Sequence, residues 1–275
     1  GELGGLKLTG AAKRLELMPY TVAQSTSQPV EAGNPYVESP DPAGTIGVDL
    51  KYAVTPGLTL TTTINPDFGQ VEADPAVVNL TAFETFYQER RPFFVEGSGN
   101  LKFDLDCNDG SCTGLFYSRR IGRQPHGSPD SPDGGHSATP ALTTILGAAK
   151  LTGRAGPFAI GMLNAVTSRE QAQLSFGQDR WKQTVEPLTN FTVFQAKREW
   201  QNQSSLGFAV TNTARRLVDD VKFLPSSATT GGVNWDWRLK DKRYSVIGYW
   251  AGSSVRGSAE AIDELLRNAV PSSQR

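Results

Sequence analysis

The sequence predicts an all-β protein, an antiparallel up-and-down β-barrel of the outer-membrane type with a short helical insert. Three observations carry this prediction: strands in which apolar and polar residues alternate, a regular alternation of tight turns with long connections, and the composition. The 275 residues include 28 Gly, 17 Pro and only 2 Met. That composition favours many short strands joined by turns over a bundle of helices.

Alternation with a period of two is clearest in residues 231–240, GGVNWDWRLK. One face of this segment carries Val233, Trp235, Trp237 and Leu239, and the other carries Asn234, Asp236, Arg238 and Lys240. Similar alternation occurs in residues 47–64, 157–167 and 204–213. Because successive side chains of a strand point to opposite faces, the pattern predicts strands with one apolar and one polar or small-residue face.

The connections between the predicted strands alternate in length. Tight turns are predicted near residues 56, 155, 202 and 241, and long connections cover residues 123–141, 168–190 and 214–229. Short turns at one end, long loops at the other and aromatic residues near strand ends are typical of outer-membrane barrels. The aromatic residues in question are Trp200, Trp235, Trp237, Tyr244, Tyr249 and Trp250. A soluble β-sandwich or an open soluble barrel is the alternative.

The domain organisation follows from the same pattern. Residues 1–258 are predicted as one barrel-like domain of about ten strands, with an insert at 65–100 and a flexible Gly/Pro/Ser-rich loop at 123–141. Residues 259–275 are predicted as a short helical or disordered tail, because their apolar residues share one helical face. Ten strands close a small barrel, but a chain that begins and ends in this way also fits part of a larger one.

A short amphipathic helix is predicted within the insert, at residues 79–91. Thr81 and Glu84 have the spacing of a capping box, and Phe83, Phe86 and Tyr87 fall on one side. Pro92 is expected to end this helix.

The net charge and the lack of targeting signals in the sequence exclude several kinds of function. The net charge of −1 provides no basic field for nucleic acid. The sequence has no run of about 18 apolar residues, so no transmembrane helix is predicted. The N-terminus lacks the basic and apolar regions of a secretory signal. The chain is therefore expected to be a mature protein or a piece of a longer one. No cofactor motif is found, so no cofactor is predicted.

A set of charged residues in and after the insert forms the candidate site. It consists of Asp67, Glu72, Asp74, Glu84, Glu89, Arg90, Arg91, Glu96, Arg119, Arg120 and Arg123. Glu72, Asp74 and Glu84 could supply an acid–base pair, and the arginines could bind carboxylate or phosphate groups in bidentate fashion. The third interpretation, which the sequence favours, is that acids and arginines neutralise one another inside a barrel lumen.

Two further features lie in the stretch DLDCNDGSC, residues 104–112. Cys107 and Cys112 flank turn-forming residues, which predicts a local disulfide in an oxidising compartment. The oxygen donors of this stretch are weak calcium candidates, because Gly110 is one position too late for an EF-hand loop. They are Asp104, Asp106, Asn108 and Asp109. No metal site is predicted, and His126 and His136 are expected to be solvent residues.

Three blocks of sequence resemble one bacterial family: residues 47–97, then LFYSRRIGR at 115–123, then TTILGAAKLTGR at 143–154. The similarity is to cell-envelope proteins in which a carbohydrate-binding module of family 9 type precedes a C-terminal domain of unknown function with a barrel-like pattern. The resemblance spans roughly residues 1–260 and implies that the chain corresponds to the first part of that C-terminal region. It also implies an incomplete barrel and a location in the outer membrane of a Gram-negative bacterium.

The expected function is therefore a non-enzymatic segment of an outer-membrane barrel that supports binding or uptake of a glycan or small solute. The expected partners are membrane lipid or lipopolysaccharide and a glycan. Two alternatives remain open at this point. The first is a carbohydrate-active hydrolase that uses carboxylates of residues 65–96, and the second is a soluble β-rich adhesion or scaffold domain.

Overall fold

The computed structural model describes residues 14–27, 34–36, 39–66, 87–108, 111–240 and 242–269. Within these residues the chain forms a nine-stranded sheet, a three-stranded sheet and a two-stranded hairpin. All paired strands run antiparallel. The all-β class and the antiparallel arrangement predicted from the sequence are thus confirmed.

The structure contains fourteen strands, two α-helices and three short 3-10 helices in its described part. The strands are β1 (Leu15–Thr26), β2 (Asp41–Thr55), β3 (Leu58–Ile64), β4 (Asp104–Asn108), β5 (Ser111–Gly114), β6 (His136–Ala138), β7 (Ile145–Ala155), β8 (Phe158–Thr167), β9 (Glu170–Phe176), β10 (Asp179–Glu186), β11 (Leu188–Glu199), β12 (Ser205–Arg216), β13 (Ser227–Leu239) and β14 (Tyr244–Arg256). The helices are α1 (Pro92–Val95) and α2 (Ala259–Ala269), with 3-10 turns at Ser98–Leu101, Ser118–Arg120 and Asp219–Val221.

The large sheet is a meander in the order β1-β2-β3-β7-β8-β11-β12-β13-β14. Tight turns join β2 to β3, β7 to β8, β11 to β12 and β13 to β14, as the sequence predicts. Long connections join the other neighbours, and they carry the remaining strands and 3-10 helices. Because neighbouring strands are antiparallel, the four tight turns lie at one end of the sheet and the long connections at the other.

The two faces of the large sheet differ in the chemistry of their side chains. Residues directly opposite each other on neighbouring strands share a face, so the register defines rows across the sheet. One row consists of Leu15, Tyr52, Leu60, Leu151, Met162, Phe194 and Val210. The adjacent row, on the opposite face, consists of Glu16, Lys51, Thr61, Lys150, Leu163, Val193, Thr211, Thr230 and Ser253. We call the first side the apolar face and the second the insert face.

The main hydrophobic core lies between the insert face and residues 91–121. Phe93, Phe94, Leu101 and Ile121 of this segment form one buried cluster with residues of β7, β8 and β11. The packing is close, since a side chain at Gly161 would collide with the backbone carbonyl of Asn100. This segment therefore rests on the middle strands of the sheet, and residues 87–108 and 111–121 are called the insert from here on.

The helix predicted at residues 79–91 falls mostly outside the described residues, which resume at Tyr87. From there to Arg91 the chain is not helical, and the described helix is α1, which begins at Pro92. The prediction that Pro92 ends a helix is wrong. Proline lacks only an N–H that the first turn leaves unpaired, and its fixed φ suits that position.

The edges of the large sheet are β1 and β14, and they do not pair with each other in the part of the chain that the structure describes. The described residues therefore form an open wall, and a closed barrel is not seen among them. After β14, α2 coincides with the helical part of the predicted tail. No helix among the described residues is long and apolar enough to cross a membrane.

The segment 123–141, predicted as a flexible loop, contains β6, which pairs with β9 in the three-stranded sheet. Its backbone is also attached to β10, since the Gly127 N–H donates to the Val185 carbonyl (2.9 Å). The Asp130 N–H donates to the Gln183 side chain (2.8 Å). The loop is thus tied to the small sheet at several points.

Candidate functional site

The best-defined part of the predicted charge cluster is the pair Glu89–Arg91, at the start of the ordered insert. The Arg91 guanidinium binds the carboxylate through two hydrogen bonds, from Nε to Oε1 (2.9 Å) and from Nη2 to Oε2 (2.7 Å). The two side chains are only 10% and 14% exposed, with Arg91 the more buried. The Ser118 hydroxyl donates to the same carboxylate (2.6 Å).

Arg91 also ties the insert to its own later residues. Its Nη1 donates to the Ile121 carbonyl (2.6 Å) and its Nη2 to the Ser118 carbonyl (2.8 Å). The guanidinium carbon lies 4.2 Å from the centre of the Phe94 ring. One side chain thus connects the start, the helix and the end of the segment that packs on the sheet, which is a structural use of an arginine.

The ionisation of Glu89 fits this structural role. Burial alone would raise its pKa, but the hydrogen bonds and the charge of Arg91, with the Ser118 hydroxyl, hold the pKa at about 2. The carboxylate is therefore ionised at neutral pH and accepts hydrogen bonds only. A carboxyl in this state cannot serve as a general acid near neutrality.

Glu96 belongs to a second cluster, in which two lysines of the sheet take part. It forms an ion pair with Lys51, which is a partly exposed contact. Lys150, on β7, is fully buried beneath α1, and its ammonium donates to the backbone carbonyls of Phe93 and Glu96. The ammonium also lies 4.8 Å from the centre of the Phe93 ring.

These two lysines were not among the residues that the sequence singled out. Both lie on the insert face, where Lys51 of β2 and Lys150 of β7 are the two register partners of Thr61 on β3. The detectable signal was a lysine at a position where the alternation of β7 predicts a covered side chain. A lysine ammonium is tolerated at such a covered position when carbonyl oxygens at the end of a helix lie above it and accept its hydrogen bonds.

The other predicted arginines make separate contacts. Arg119 donates to the Gln88 carbonyl (2.8 Å) and lies 5.7 Å from the centre of the Tyr87 ring. Arg90 and Arg120 are exposed and each take part in further contacts, and the exposed Arg123 uses its carbonyl to bind Thr143 (2.7 Å). Arg91 is occupied by Glu89, and ligand binding by the other arginines stays a prediction.

Four of the predicted carboxylates and one calcium candidate lie outside the described residues: Asp67, Glu72, Asp74, Glu84 and Asp109. The hydrolase hypothesis depends on the first group and stays a prediction. Cys107 and Cys112 are opposite each other in the register of the β4–β5 hairpin, and the disulfide between them also stays a prediction. Among the described residues, no group of three or more acidic, histidine or cysteine side chains could hold a metal ion.

A further polar contact that the sequence analysis missed joins His126 and Glu186. His126 is half-buried, and its Nδ1 lies 2.6 Å from Oε2 of the buried Glu186. The His126 backbone N–H also donates to Glu186 (2.9 Å). The expectation that both histidines are solvent residues is therefore wrong for His126. The separation of 60 positions between the two partners hides this pair from any local motif.

The comparisons with known proteins give one match. The model of a family described as "Domain of unknown function (DUF5916)" matches residues 11–266, so the chain belongs to this family. No curated protein and no solved structure matches the chain.

Proposed function

We propose that this DUF5916 chain forms part of the wall of an outer-membrane β-barrel, with its apolar face toward lipid and residues 87–121 packed on the lumen side. The observation that carries the proposal is the apolar row across seven neighbouring strands, from Leu15 to Val210. Side chains on this face are well exposed, such as Met162 (45%), Phe208 (46%) and Trp250 (66%).

The size of this face supports a membrane environment. Nine strands spaced about 4.8 Å apart make a surface roughly 38 Å wide. Soluble monomers rarely expose a contiguous apolar patch larger than a few hundred Å². An outer-membrane barrel, in contrast, requires an outward-facing apolar band about 25 Å tall.

Strand length supports the same environment. Eight of the nine strands have 10 to 15 residues, and about 9–11 residues suffice to cross the hydrocarbon when tilted. The tight turns all lie at one end, as in barrels with short periplasmic turns and long outer loops. β1 and β14 have open edges within the described residues, and in the proposed bilayer these edges are paired with other strands.

The insert face supports the assignment of the opposite side to the lumen. Its centre carries a hydrophobic core that the insert covers, with paired charges beside it. Small and polar residues dominate the rest of this face, apart from the exposed Ile247 and Tyr249 of β14. A polar interior plugged by a segment of the same chain is one of the known ways to fill a barrel. In this proposal the lumen supports binding or uptake of a glycan or another small polar solute.

Fractionation of the complete natural protein in a Gram-negative host tests the membrane part. The protein is expected in the outer-membrane fraction, soluble only with detergent, and its folded form should migrate faster on a gel before heating than after. A monomer that purifies from the soluble fraction without detergent would contradict the proposal.

The solute part needs its own experiment. Proteoliposomes that contain the protein are incubated with a panel of neutral and acidic oligosaccharides, and binding and uptake are compared with protein-free liposomes. Binding or entry of at least one class of sugar is expected. If the protein inserts into the bilayer and neither binds nor admits any member of the panel, the solute role fails while the membrane wall stands.

A further inference from the structure

A groove of about 340 Å³ lies on the apolar face near the tight-turn end of the sheet. Its lining is almost wholly apolar and comes from β8, β11, β12 and β13. Its principal residues are Phe158, Ala196, Arg198, Trp200, Leu206 and Phe208. In the proposed orientation this groove opens toward lipid at the level of a membrane interface.

Arg198 is the one charged residue of this lining, and its position is unusual for an apolar face. Its neighbours in the register are Phe158 and Leu206. The guanidinium carbon lies 4.8 Å from the centre of the Trp200 ring and 5.8 Å from that of Phe158. Aromatic faces hold the cation in place without supplying hydrogen-bond acceptors.

The hydrogen-bonding capacity of Arg198 is unused within the described residues. Its Nε is buried and has no acceptor there. The neighbouring cations differ in having a counter-charge, since Lys197 pairs with Glu199 (3.0 Å) on the insert face and Arg238 with Asp236 (2.7 Å). The Nε of Arg238, like that of Arg198, has no acceptor among the described residues. A buried donor without an acceptor is costly, so an anionic group in the groove would stabilise this site.

The surroundings resemble the headgroup level of a membrane. Trp200 and Trp237 pack together with ring centres 5.3 Å apart. Lys240 lies over the Tyr244 ring at 5.7 Å, at the same end of the sheet. Tryptophan, tyrosine and basic residues concentrate where polar headgroups meet the hydrocarbon.

We propose that this groove binds one anionic phospholipid, whose phosphate group is held by the Arg198 guanidinium and whose acyl chain lies against Phe158, Leu206 and Phe208. The inference rests on the proposed function, because it needs the apolar face to meet lipid. Charge complementarity selects this occupant, because the groove offers at its polar end one cation that has no partner among the described residues, and hydrocarbon along the rest. Guanidinium groups match phosphate oxygens in bidentate geometry.

The test is a titration of the detergent-purified complete protein with phosphatidylglycerol, followed by native mass spectrometry. The wild type is expected to retain one lipid tightly. Arg198→Gln should weaken retention about tenfold or more, the scale of losing hydrogen bonds to a charged group. Arg154→Gln is the matched control, because Arg154 is an exposed cation near the same end but on the insert face, and it should retain the lipid as the wild type does.

A second variant keeps the charge and blocks the groove. Ala196→Trp places a large side chain in the lining and should also weaken retention of phosphatidylglycerol. Equal retention by the wild type and by both groove variants would overturn the proposal. Displacement of the lipid by inorganic phosphate alone would overturn it as well, because the site would then be one for a free anion.

The outcome separates this site from the membrane proposal. If the variants still require detergent and bind phosphatidylglycerol like the wild type, only the lipid site is wrong. If the protein purifies without detergent, the membrane proposal fails, and titration with a short-chain phosphatidylglycerol decides whether Arg198 still binds lipid.

Discussion

The same nine strands form the apolar face and the insert face, yet charged side chains have different surroundings on the two faces. On the insert side, Arg91 is bound by Glu89 and by backbone carbonyls, and Lys150 by carbonyls at the end of α1. On the apolar side, Arg198 meets aromatic rings and has no acceptor among the described residues. The comparison teaches that Arg91 and Lys150 on the insert side find counter-charges or carbonyls within the chain, whereas Arg198 on the apolar side finds only aromatic rings among the described residues.

The largest expected effect comes from breaking the buried pair on the insert side. Arg91→Met leaves the Glu89 carboxylate largely buried without its cation, which typically costs about 3–5 kcal/mol. Hydrogen exchange of residues 92–121 should then become much faster. The double variant Glu89→Leu with Arg91→Met is the control and should recover part of the protection, because no charge is left unpaired although the Ser118 and Ile121 carbonyls still lose their donor. Unchanged exchange in Arg91→Met would contradict the structural role.

The two methionines of the chain allow the same substitution on each face. Met162 lies in the apolar row and Met18 lies opposite Asp49 on the insert face, and they are 45% and 50% exposed. Met162→Arg is expected to cost about 2–4 kcal/mol, as for a cation at the bilayer midplane, and to reduce the heat-modifiable form. Met18→Arg should assemble normally. Equal tolerance of both variants would favour a soluble domain.

Acid should loosen the insert before it disturbs the apolar face. The pKa of Glu89 is lowered from 4.5 to about 2 in the folded chain. The stabilisation from this carboxylate is therefore complete above about pH 4.5 and is lost as the pH falls toward 2, by at most about 3 kcal/mol. Hydrogen exchange of the insert, corrected for its intrinsic rate, measures the loss. Glu89→Gln should show a flatter dependence, and an identical dependence would assign the effect to other groups.

The smallest effect is expected at the exposed ion pair of the insert side. Lys51 and Glu96 have side chains that are 37% and 53% exposed, and such pairs contribute less than about 1 kcal/mol. Lys51→Met should therefore change the insert's protection only slightly, and that slight effect should shrink at high salt. A loss as large as that of Arg91→Met would mean that the two contacts do not differ as their burial suggests.

The large sheet could be predicted from the sequence because its information is local. The residues from Val233 to Leu239 alternate in the sequence as they do in the structure, and each predicted tight turn joins neighbouring strands. The apolar face follows from the same alternation. The predicted closure into a barrel concerns the partners of β1 and β14, which the pattern within single strands does not specify.

The candidate site was harder to predict because its contacts join distant parts of the chain. Lys150 and Glu96 are 54 residues apart, and Arg91 is 30 residues from Ile121. Composition identified Glu89, Arg91 and Glu96 as a charged group and favoured mutual neutralisation, but it could not say which acid pairs with which base. Pro92 was misinterpreted because proline suits both the region after a helix and its first turn.

Tryptophan fluorescence tests the central claim, that the apolar face meets lipid, most directly. Four of the five tryptophans lie on this face or at its tight-turn end, namely Trp200, Trp235, Trp237 and Trp250, whereas Trp181 lies in the small sheet. In bilayers of phospholipids brominated in their acyl chains, the wild type should be strongly quenched. A folded variant with phenylalanine at those four positions, which retains only Trp181, should be little affected. Weak quenching of the wild type, or equal quenching of both proteins, would contradict a lipid-facing sheet.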